Sequence, residues 1–433
     1  MLILMLAAFL AQTPAPLAGT DFATSVAGEG VATITAACER CDWGVEGREA
    51  ATVRITVDGR YSQHLILARG DTESKYRVTL GRIAAGTHRI EVANDAALSA
   101  KGIGAVKVSS ISVSVAPVGD DDSVALSMAP FIYARPNTIG KFTDVPVFMW
   151  YEVLLVPQGR QFRYSVIFTN EDGGTKTDRL MATWGRTTDI EFIYGATLDH
   201  QGKVIAEEFQ GPGHEVPPFR GRHEGAHPLQ WVSTDNNMVS EEGPTSIRFA
   251  PAPERFELAN ASREVVMDAH PWTHELASKE MVREKKLRED AAAGSGAIPD
   301  PRRFVFVEAC TDLQNAAVAF AVRARAASGQ VTWFESDRGL PQFRIVRSGC
   351  FRGAVPLPVG AAAPDAVRFK AFTLPPRTEA PPPSGPVAVT LTRVNRVFML
   401  DQSYLPMTSL FSWSGRTTLA VDRDWVELEI AKR

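Results

Sequence analysis

Histidines are concentrated in the middle of the chain. Six of the eight lie between residues 200 and 274 of the 433-residue sequence. Neutral imidazole is the commonest transition-metal ligand, and Asp or Glu often completes such sites. This clustering predicts a divalent metal site, for Zn2+ or Ca2+, formed by His214, His223, His227 and Asp235.

The spacing of these histidines leaves other roles open. His223 and His227 are four residues apart, but Gly225 and Pro228 disfavour a helix, and the His-Glu-x-x-His arrangement of zinc proteases is absent. Histidines in a region rich in Gly and Pro can instead hydrogen-bond to loop backbone, or act as general acids and bases without a metal. The spacing favours hydrogen bonding to the backbone.

Two acidic residues form a second candidate for chemistry. In Asp189-Ile190-Glu191, a strand would place both carboxylates on one face. Two close carboxylates can divide acid and base roles, as in glycoside hydrolysis. Arg186 stands three residues earlier, so the same residues can form an internal ion-pair cluster. We therefore predict Asp189, Glu191 and Arg186 as candidate catalytic residues, with the structural ion-pair cluster as the favoured alternative.

The four cysteines indicate two disulfides. Four cysteines allow three pairings, and the separation of the two pairs along the chain favours Cys38–Cys41 and Cys310–Cys350. A strand-like run precedes Cys38, whereas a redox-active thiol would need a helix N-terminus to lower its pKa. A structural bridge is therefore favoured over a catalytic dithiol or half of a zinc site.

Charge and motifs exclude several classes of protein. The formal net charge is −4, which does not fit the basic surface of a nucleic-acid-binding protein. No Gly-x-Ser-x-Gly motif, P-loop, or Gly-x-Gly-x-x-Gly opening a helix is present. The sequence therefore predicts no nucleic-acid partner and no nucleotide cofactor.

The N-terminus predicts export. An apolar run of eleven residues is followed by polar, small and Pro residues, which matches a signal peptide over residues 1–18, although the usual Lys or Arg is missing. A buried N-terminal strand or a lipid-facing anchor is the alternative. No later segment is long and apolar enough to span a membrane. We expect a secreted or periplasmic protein.

The elements that would position these residues are mainly β-strands. Residues 20–117 show short alternating runs, a hairpin signal at Asp58-Gly59 and a phase slip at Ser109-Ser110 that predicts a bulge. These features predict an N-terminal β-sandwich. An acidic run, residues 119–123, is predicted to be a solvated linker.

The central region, residues 126–295, predicts a β-rich domain with one long charged helix. Strand-like runs occupy residues 145–156, 162–168, 179–184 and 189–198. The helix is predicted over residues 273–293, on a surface or bridging two domains.

Residues 300–433 return to β character and predict a sandwich-like C-terminal domain. Within it, the proline-rich stretch 375–386 predicts an extended, exposed loop. The fold class predicted for the whole chain is therefore mainly β. The second and third domains could share one core.

Three strings of the first domain resemble jelly-roll carbohydrate-binding modules. They are Val57-Asp58-Gly59, Gly86-Thr87-His88-Arg89-Ile90-Glu91-Val92-Ala93-Asn94-Asp95 and Val108-Ser109-Ser110-Ile111-Ser112-Val113. The resemblance covers about 60 residues and implies a polysaccharide ligand. In such modules the strand before an Asn-Asp turn often leads into a calcium site. No aromatic platform is evident, and Asn94 and Asp95 are favoured as turn residues that cap their own backbone.

A second resemblance covers roughly residues 128–250. Its strings are Tyr133-Ala134-Arg135-Pro136-Asn137, Thr143-Asp144-Val145-Pro146, Thr169-Asn170-Glu171-Asp172-Gly173-Gly174-Thr175, Trp184-Gly185-Arg186-Thr187-Thr188-Asp189-Ile190-Glu191, Phe209-Gln210-Gly211, His227-Pro228-Leu229 and Asn236-Asn237-Met238. Together they resemble the vacuolar protein sorting-associated protein 62 family. The resemblance implies an exported, β-rich protein and no particular reaction.

Three functions follow as hypotheses. The first is a non-catalytic exported protein that binds a polysaccharide or another cell-envelope ligand. The second is a metal-dependent hydrolase that uses the central His and carboxylate residues. The third is a structural or assembly protein. The sequence leaves open whether the protein is an enzyme.

Overall fold

The computed structural model describes residues 15–136, 140–171, 173–374, 385–428 and 431–432. Most of the predicted signal peptide and of the proline-rich stretch 375–386 lies outside these residues. Strands account for 47% of the protein and helices for 10%, so the prediction of a mainly β fold is confirmed.

Residues 16–116 form a sandwich of two antiparallel sheets. One sheet has the strand order β1-β6-β3-β4 and the other β5-β2-β7. Alternating residues such as Ile34, Ile55 and Val92 fill the space between them. The strands are β1 (Pro16–Thr24), β2 (Gly28–Cys38), β3 (Thr52–Val57), β4 (Arg60–Ile66), β5 (Ser74–Ile83), β6 (Gly86–Asn94) and β7 (Val106–Ala116).

Local predictions for this sandwich are confirmed. Asp58 and Gly59 form the two-residue loop between β3 and β4, both with positive φ. The register between β2 and β7 shifts at Ser109, which is the predicted bulge. Asp95 Oδ1 accepts hydrogen bonds from the backbone of Ala97 and Leu98, so it acts as a turn residue.

The predicted acidic linker is wrong, because part of it is helical. Asp120 caps a short helix, and its carboxylate accepts a hydrogen bond from Ser123 N at 2.9 Å. Tyr151 donates a hydrogen bond to Asp122 at 2.5 Å, and Arg160 pairs with Asp121. The acidic run is therefore held against the central sheet.

Within the residues that the structure describes, the central region contains two sheets and four α-helices. One sheet has the order β12-β11-β10-β9-β17, and the other has β13-β14-β8-β16 with β15 paired to β14. The elements are α1 (Asp121–Ser127), β8 (Phe131–Tyr133), β9 (Pro146–Val156), β10 (Gly159–Phe168), α2 (Thr177–Trp184), β11 (Ile190–Asp199), β12 (Val204–Glu208), β13 (His223–Glu224), β14 (His227–Val232), β15 (Val239–Ser240), β16 (Arg248–Phe249), β17 (Glu254–Arg255), α3 (Val265–Ala269) and α4 (Trp272–Arg283).

Two element predictions for this region are wrong. The run 179–184 lies in α2 and not in a strand, and helical hydrogen bonds from Leu180 N to Lys176 O and from Gly185 N to Met181 O hold its two ends. Helix α4 ends at Arg283, ten residues before the predicted end. Lys285 then has φ 58°, and the chain turns so that Leu287 lies beside Ile298.

The prediction that this charged helix bridges domains is confirmed. Leu276 packs in a cluster with Trp43 of the N-terminal sandwich, and Met281 packs with Phe304 and Phe306 of the C-terminal strands. Helix α4 therefore lies at the junction of all three groups of sheets.

Residues 304–432 form a second sandwich, with sheets β21-β18-β23-β24-β26 and β20-β19-β22-β25. Its main core is its own, and a smaller cluster that includes Met181, Met281 and Phe398 joins it to the central region. The strands are β18 (Phe304–Gln314), β19 (Ala316–Arg325), β20 (Val331–Glu335), β21 (Gly349–Pro356), β22 (Ala366–Thr373), β23 (Ala388–Phe398), β24 (Phe411–Leu419), β25 (Val426–Glu427) and β26 (Ala431–Lys432).

Both predicted disulfides, Cys38–Cys41 and Cys310–Cys350, are present. Cys310 and Cys350 lie directly opposite each other on β18 and β21. Within the described residues, no helix combines the length and the apolar character needed to cross a bilayer.

Candidate ligand-binding cavity

The loop between α2 and β11 carries the predicted acids. Gly185 ends α2 in the left-handed region, with φ 60°, which glycine adopts without a steric penalty. A Cβ atom at Gly185 would lie 2.6 Å from the side chain of Arg352, so the C-terminal sandwich also requires glycine here. The turn leads directly to Arg186 and Asp189, both buried.

Arg186 is a buried cation held between two carboxylates. Its Nη1 lies 3.5 Å from Asp189 Oδ1, and its Nε donates to Glu264 Oε1 at 3.2 Å. Burial lowers the pKa of Arg186, but the charges of Asp189 and Glu264 raise it further, so the net shift is upward. The structure thus contains the internal ion pair that the sequence favoured.

Asp189 has three polar neighbours. Asn237 donates from Nδ2 to Asp189 Oδ2 at 2.9 Å, and its left-handed backbone, with φ 56°, is one that Asn tolerates. The charge of Asp189 also acts on Glu191, two residues further along the chain. Burial raises the pKa of Asp189, whereas Arg186 and Asn237 oppose that rise.

Glu171 and Glu191 complete a group of three acids. Burial, followed by the charge of Asp189, raises the pKa of Glu191 well above its usual range. The same two causes raise the pKa of Glu171 to about 7. A raised pKa favours the protonated carboxyl, which donates an O–H as well as accepting hydrogen bonds.

A cavity of about 490 Å3 opens beside these acids, between the central region and the C-terminal sandwich. Arg347 lies in its wall, stacks on the Trp184 ring at 4.9 Å and donates to Thr183 O at 2.5 Å. Burial lowers the pKa of Arg347 to about 10. The other lining residues are Glu171, Gly174, Thr175, Leu180, Arg186, Ile190, Glu191, Gln210, His214, Asn236, Arg263, Glu264 and Cys350.

The predicted metal ligands do not form one site, which corrects the sequence prediction. Only His214 lies at the cavity, 3.4 Å from Gln210 Nε2. His223 contacts Glu207 at 2.8 Å, and Asp235 pairs with Arg135.

His227 is buried elsewhere, between Ala129 O at 2.8 Å and Glu29 at 3.1 Å. Among the described residues, no group of three or more His, Cys, Asp or Glu side chains could hold a metal ion. Asp172 lies outside those residues. His223 and His227 lie in one hairpin, but they occupy successive register positions of β13 and β14, so their side chains point to opposite faces and meet different partners.

The predicted site residues do not include several residues of this cavity. Glu171 and Gln210 come from loops far apart in the chain, and Arg347 comes from the C-terminal region. One signal in the sequence points to them, because the strings 169–175, 184–191, 209–211 and 236–238 all belong to the resemblance to the vacuolar protein sorting-associated protein 62 family. The structure brings those four strings around one cavity.

Comparisons with known proteins assign this chain to no family. No protein-family model matches the chain, and no curated protein matches it. The resemblance to the vacuolar protein sorting-associated protein 62 family therefore stays a prediction.

Among solved structures, the chain is similar to a sugar-binding protein, the EclA C-terminal domain, at 14% identity and a TM-score of 0.18, over 23% of this chain and 66% of that one. It is similar to NLPPya in complex with mannosamine at 10% identity and a TM-score of 0.24, over 43% of this chain and 86% of that one. A ruminal GH26 endo-beta-1,4-mannanase matches at 14% identity and a TM-score of 0.18, over 27% of this chain and 26% of that one. At these TM-scores, the similarities establish no function for this chain.

Proposed function

We propose that the protein is an exported, non-catalytic glycan-binding protein and that the glycan occupies the cavity between the central region and the C-terminal sandwich. The observation that carries this proposal is the chemistry of the wall. Carboxyl groups, the amides of Gln210 and Asn236, and guanidinium groups converge on a cavity of about 490 Å3. Sugars present many hydroxyl groups, which need donors and acceptors close together.

Size and shape support the same ligand class. Small-molecule sites commonly measure about 300–1,000 Å3 and lie between domains. The half-buried Trp184 ring lines this cavity and supplies an apolar surface for the C–H face of a sugar ring. The two disulfides are typical of proteins that leave the cytoplasm, which supports export to a compartment where envelope glycans occur.

The geometry favours binding over hydrolysis. In glycoside hydrolases the two catalytic carboxyls stand about 5–9.5 Å apart, because the sugar lies between them. Asp189 is instead fully buried, pairs with Arg186 and accepts a hydrogen bond from Asn237, and it is not among the residues that line the cavity. Of these two acids only Glu191 faces the cavity, so they cannot stand on either side of a sugar held there.

The test begins with a glycan array and with retention on insoluble cell-wall polysaccharides, followed by titration of any ligand found. Gln210→Ala removes a donor at the cavity, where Gln210 Nε2 bonds to Glu191. Losing one such hydrogen bond costs about 0.5–1.5 kcal/mol, so we expect binding to weaken about 3- to 10-fold.

Gln161→Ala is the matched control. Gln161 is also half-buried and donates to a glutamate, Glu208, at 3.0 Å, but it lies outside the cavity. Its replacement should leave binding unchanged. Failure to retain any glycan, or equal effects of the two substitutions, would contradict the proposal. If the protein releases new reducing ends from a bound glycan, it hydrolyses that glycan, and the proposal of non-catalytic binding is wrong.

A further inference from the structure

A second cavity lies on the seam between the N-terminal sandwich and the central sheets. Main-chain hydrogen bonds build this seam: Thr79 N donates to Ala250 O at 2.8 Å, and Ala252 N donates to Arg77 O at 3.1 Å. The cavity measures about 260 Å3. A space of about 150 Å3 holds benzene inside a protein, so this cavity can hold a substituted ring.

Most of the cavity wall is apolar. Both sides of the seam contribute buried side chains, so a ligand here would be largely removed from water. An apolar wall disfavours a highly hydroxylated ligand and favours one with a hydrocarbon body. The apolar residues include Ile66, Ala68, Val78, Phe148 and Phe249.

One cation in this wall lacks an acidic partner. The guanidinium carbon of Arg69 lies 4.3 Å from the centre of the Trp272 ring and 5.5 Å from that of Tyr76. Its Nε is buried without a hydrogen-bond partner. Burial lowers the pKa of Arg69, and Tyr76 and Glu254 oppose that shift.

The nearest acid of the wall is already engaged. Glu254 pairs with Arg77 at 3.4 Å and with His270 at 3.2 Å. No ion pair in the described part of the chain involves Arg69 or Lys75, which also lines the cavity. The wall therefore carries uncompensated positive charge next to an apolar space.

We propose that this cavity binds a small organic carboxylate, with its hydrocarbon body against the apolar wall and its carboxylate on Arg69. Arginine presents several N–H donors in a plane that matches a carboxylate. Such a ligand would satisfy the buried Nε and compensate a charge that is costly to bury alone. This site is separate from the proposed glycan cavity.

The experiment measures binding of benzoate and of benzamide to the full chain by isothermal titration calorimetry. The two probes have the same ring, but only benzoate is charged. We expect benzoate to bind about 10- to 100-fold more tightly, since a hydrogen bond to a charged group contributes about 1.5–3 kcal/mol. Equal affinities, or no binding of benzoate, would overturn the proposal whatever any variant does.

Variants then locate the site. Arg69→Met should weaken benzoate binding by the same factor, while Arg60→Met, at an exposed arginine outside the cavity, should not change it. If Arg69→Met fails to fold, Arg69→Lys keeps the charge and should weaken binding severalfold. Unchanged affinity in the folded Arg69 variant would refute the assignment. Glycan retention by the same variants tests the other cavity separately.

Discussion

Arg352 is expected to be the most important single charge for stability. It lies in β21 with 0% exposure. Its guanidinium contacts Asp268 at 2.6 and 3.0 Å, Glu308 at 2.7 Å and Glu264 O at 3.1 Å. Arg352→Met keeps a long side chain but removes every one of these donors, and it leaves buried acids at the junction of the central region and the C-terminal sandwich.

The size of the stability loss depends on which partners Asp268 and Glu308 keep when Arg352 is replaced. Removing one partner of a buried ion pair costs about 3–5 kcal/mol. Asp268 keeps Arg396 at 2.7 Å and His274 at 2.9 Å. Glu308, only 2% exposed, keeps just the amide of Asn395 at 3.2 Å and a long contact with the Ser262 backbone. We therefore expect a loss of about 3 kcal/mol, toward the lower end of that range.

The loss should depend on pH. Burial raises the pKa of Asp268, but the charge of Arg352 and the hydrogen bond from His274 lower it more, so the net pKa is well below its usual range. An acid with a lowered folded pKa contributes stability above its unfolded pKa and loses it as the pH falls. The deficit of Arg352→Met should thus be largest at neutral pH and shrink in acid.

Denaturant unfolding of the wild type and of Arg352→Met measures this stability loss. It is done at neutral pH and at about pH 3.5, which is near the pKa of a free aspartate. Arg323→Met is the control, because Arg323 also pairs with two acids, Asp365 at 2.8 Å and Glu427 at 3.3 Å, but at the surface. Surface pairs contribute about 0–1 kcal/mol. A deficit for Arg352→Met no larger than that of the control would refute the reasoning.

Two further predictions concern stability. Burial raises the pKa of Glu280 to about 7, above the usual 4.5, so the stability that it contributes falls as the pH rises through that interval. The stability of Glu280→Gln relative to the wild type should therefore rise by about 3 kcal/mol between acidic and mildly alkaline pH, as measured by denaturant unfolding; a constant difference would contradict this. Cys310 and Cys350 close a loop of 40 residues and Cys38 and Cys41 one of three, so replacing each pair with Ala should cost about 4 and about 2 kcal/mol respectively. Equal shifts in calorimetric melting would show that loop entropy does not set the difference.

Some features of the fold were predictable from neighbouring residues. The Asp58-Gly59 hairpin and the bulge at Ser109 follow from two-residue alternation and from the backbone freedom of the turn. Asp189 and Arg186, which form an ion pair, are also only three residues apart in the sequence. Each depends on interactions within a few residues, and a sequence displays these directly.

The candidate sites were less predictable. Six histidines close in sequence suggested one metal site, yet His214, His223 and His227 contact different partners. The predicted helix over residues 273–293 was too long. Helix α4 ends at Arg283, and the chain then turns so that Leu287 pairs with Ile298, a contact that the local sequence pattern does not show.

The sequence by itself determined the β-rich class, the two disulfides and the local turns, since alternation, cysteine spacing and turn residues act over short distances. Only the tertiary structure decided which polar groups meet. Arg347 lines the same cavity as Glu171 and Glu191, more than 150 residues earlier in the chain, and Arg69 lies beside Trp272 across a seam. Burying charge requires partners in space, and strand pairing supplies those partners from remote parts of the chain.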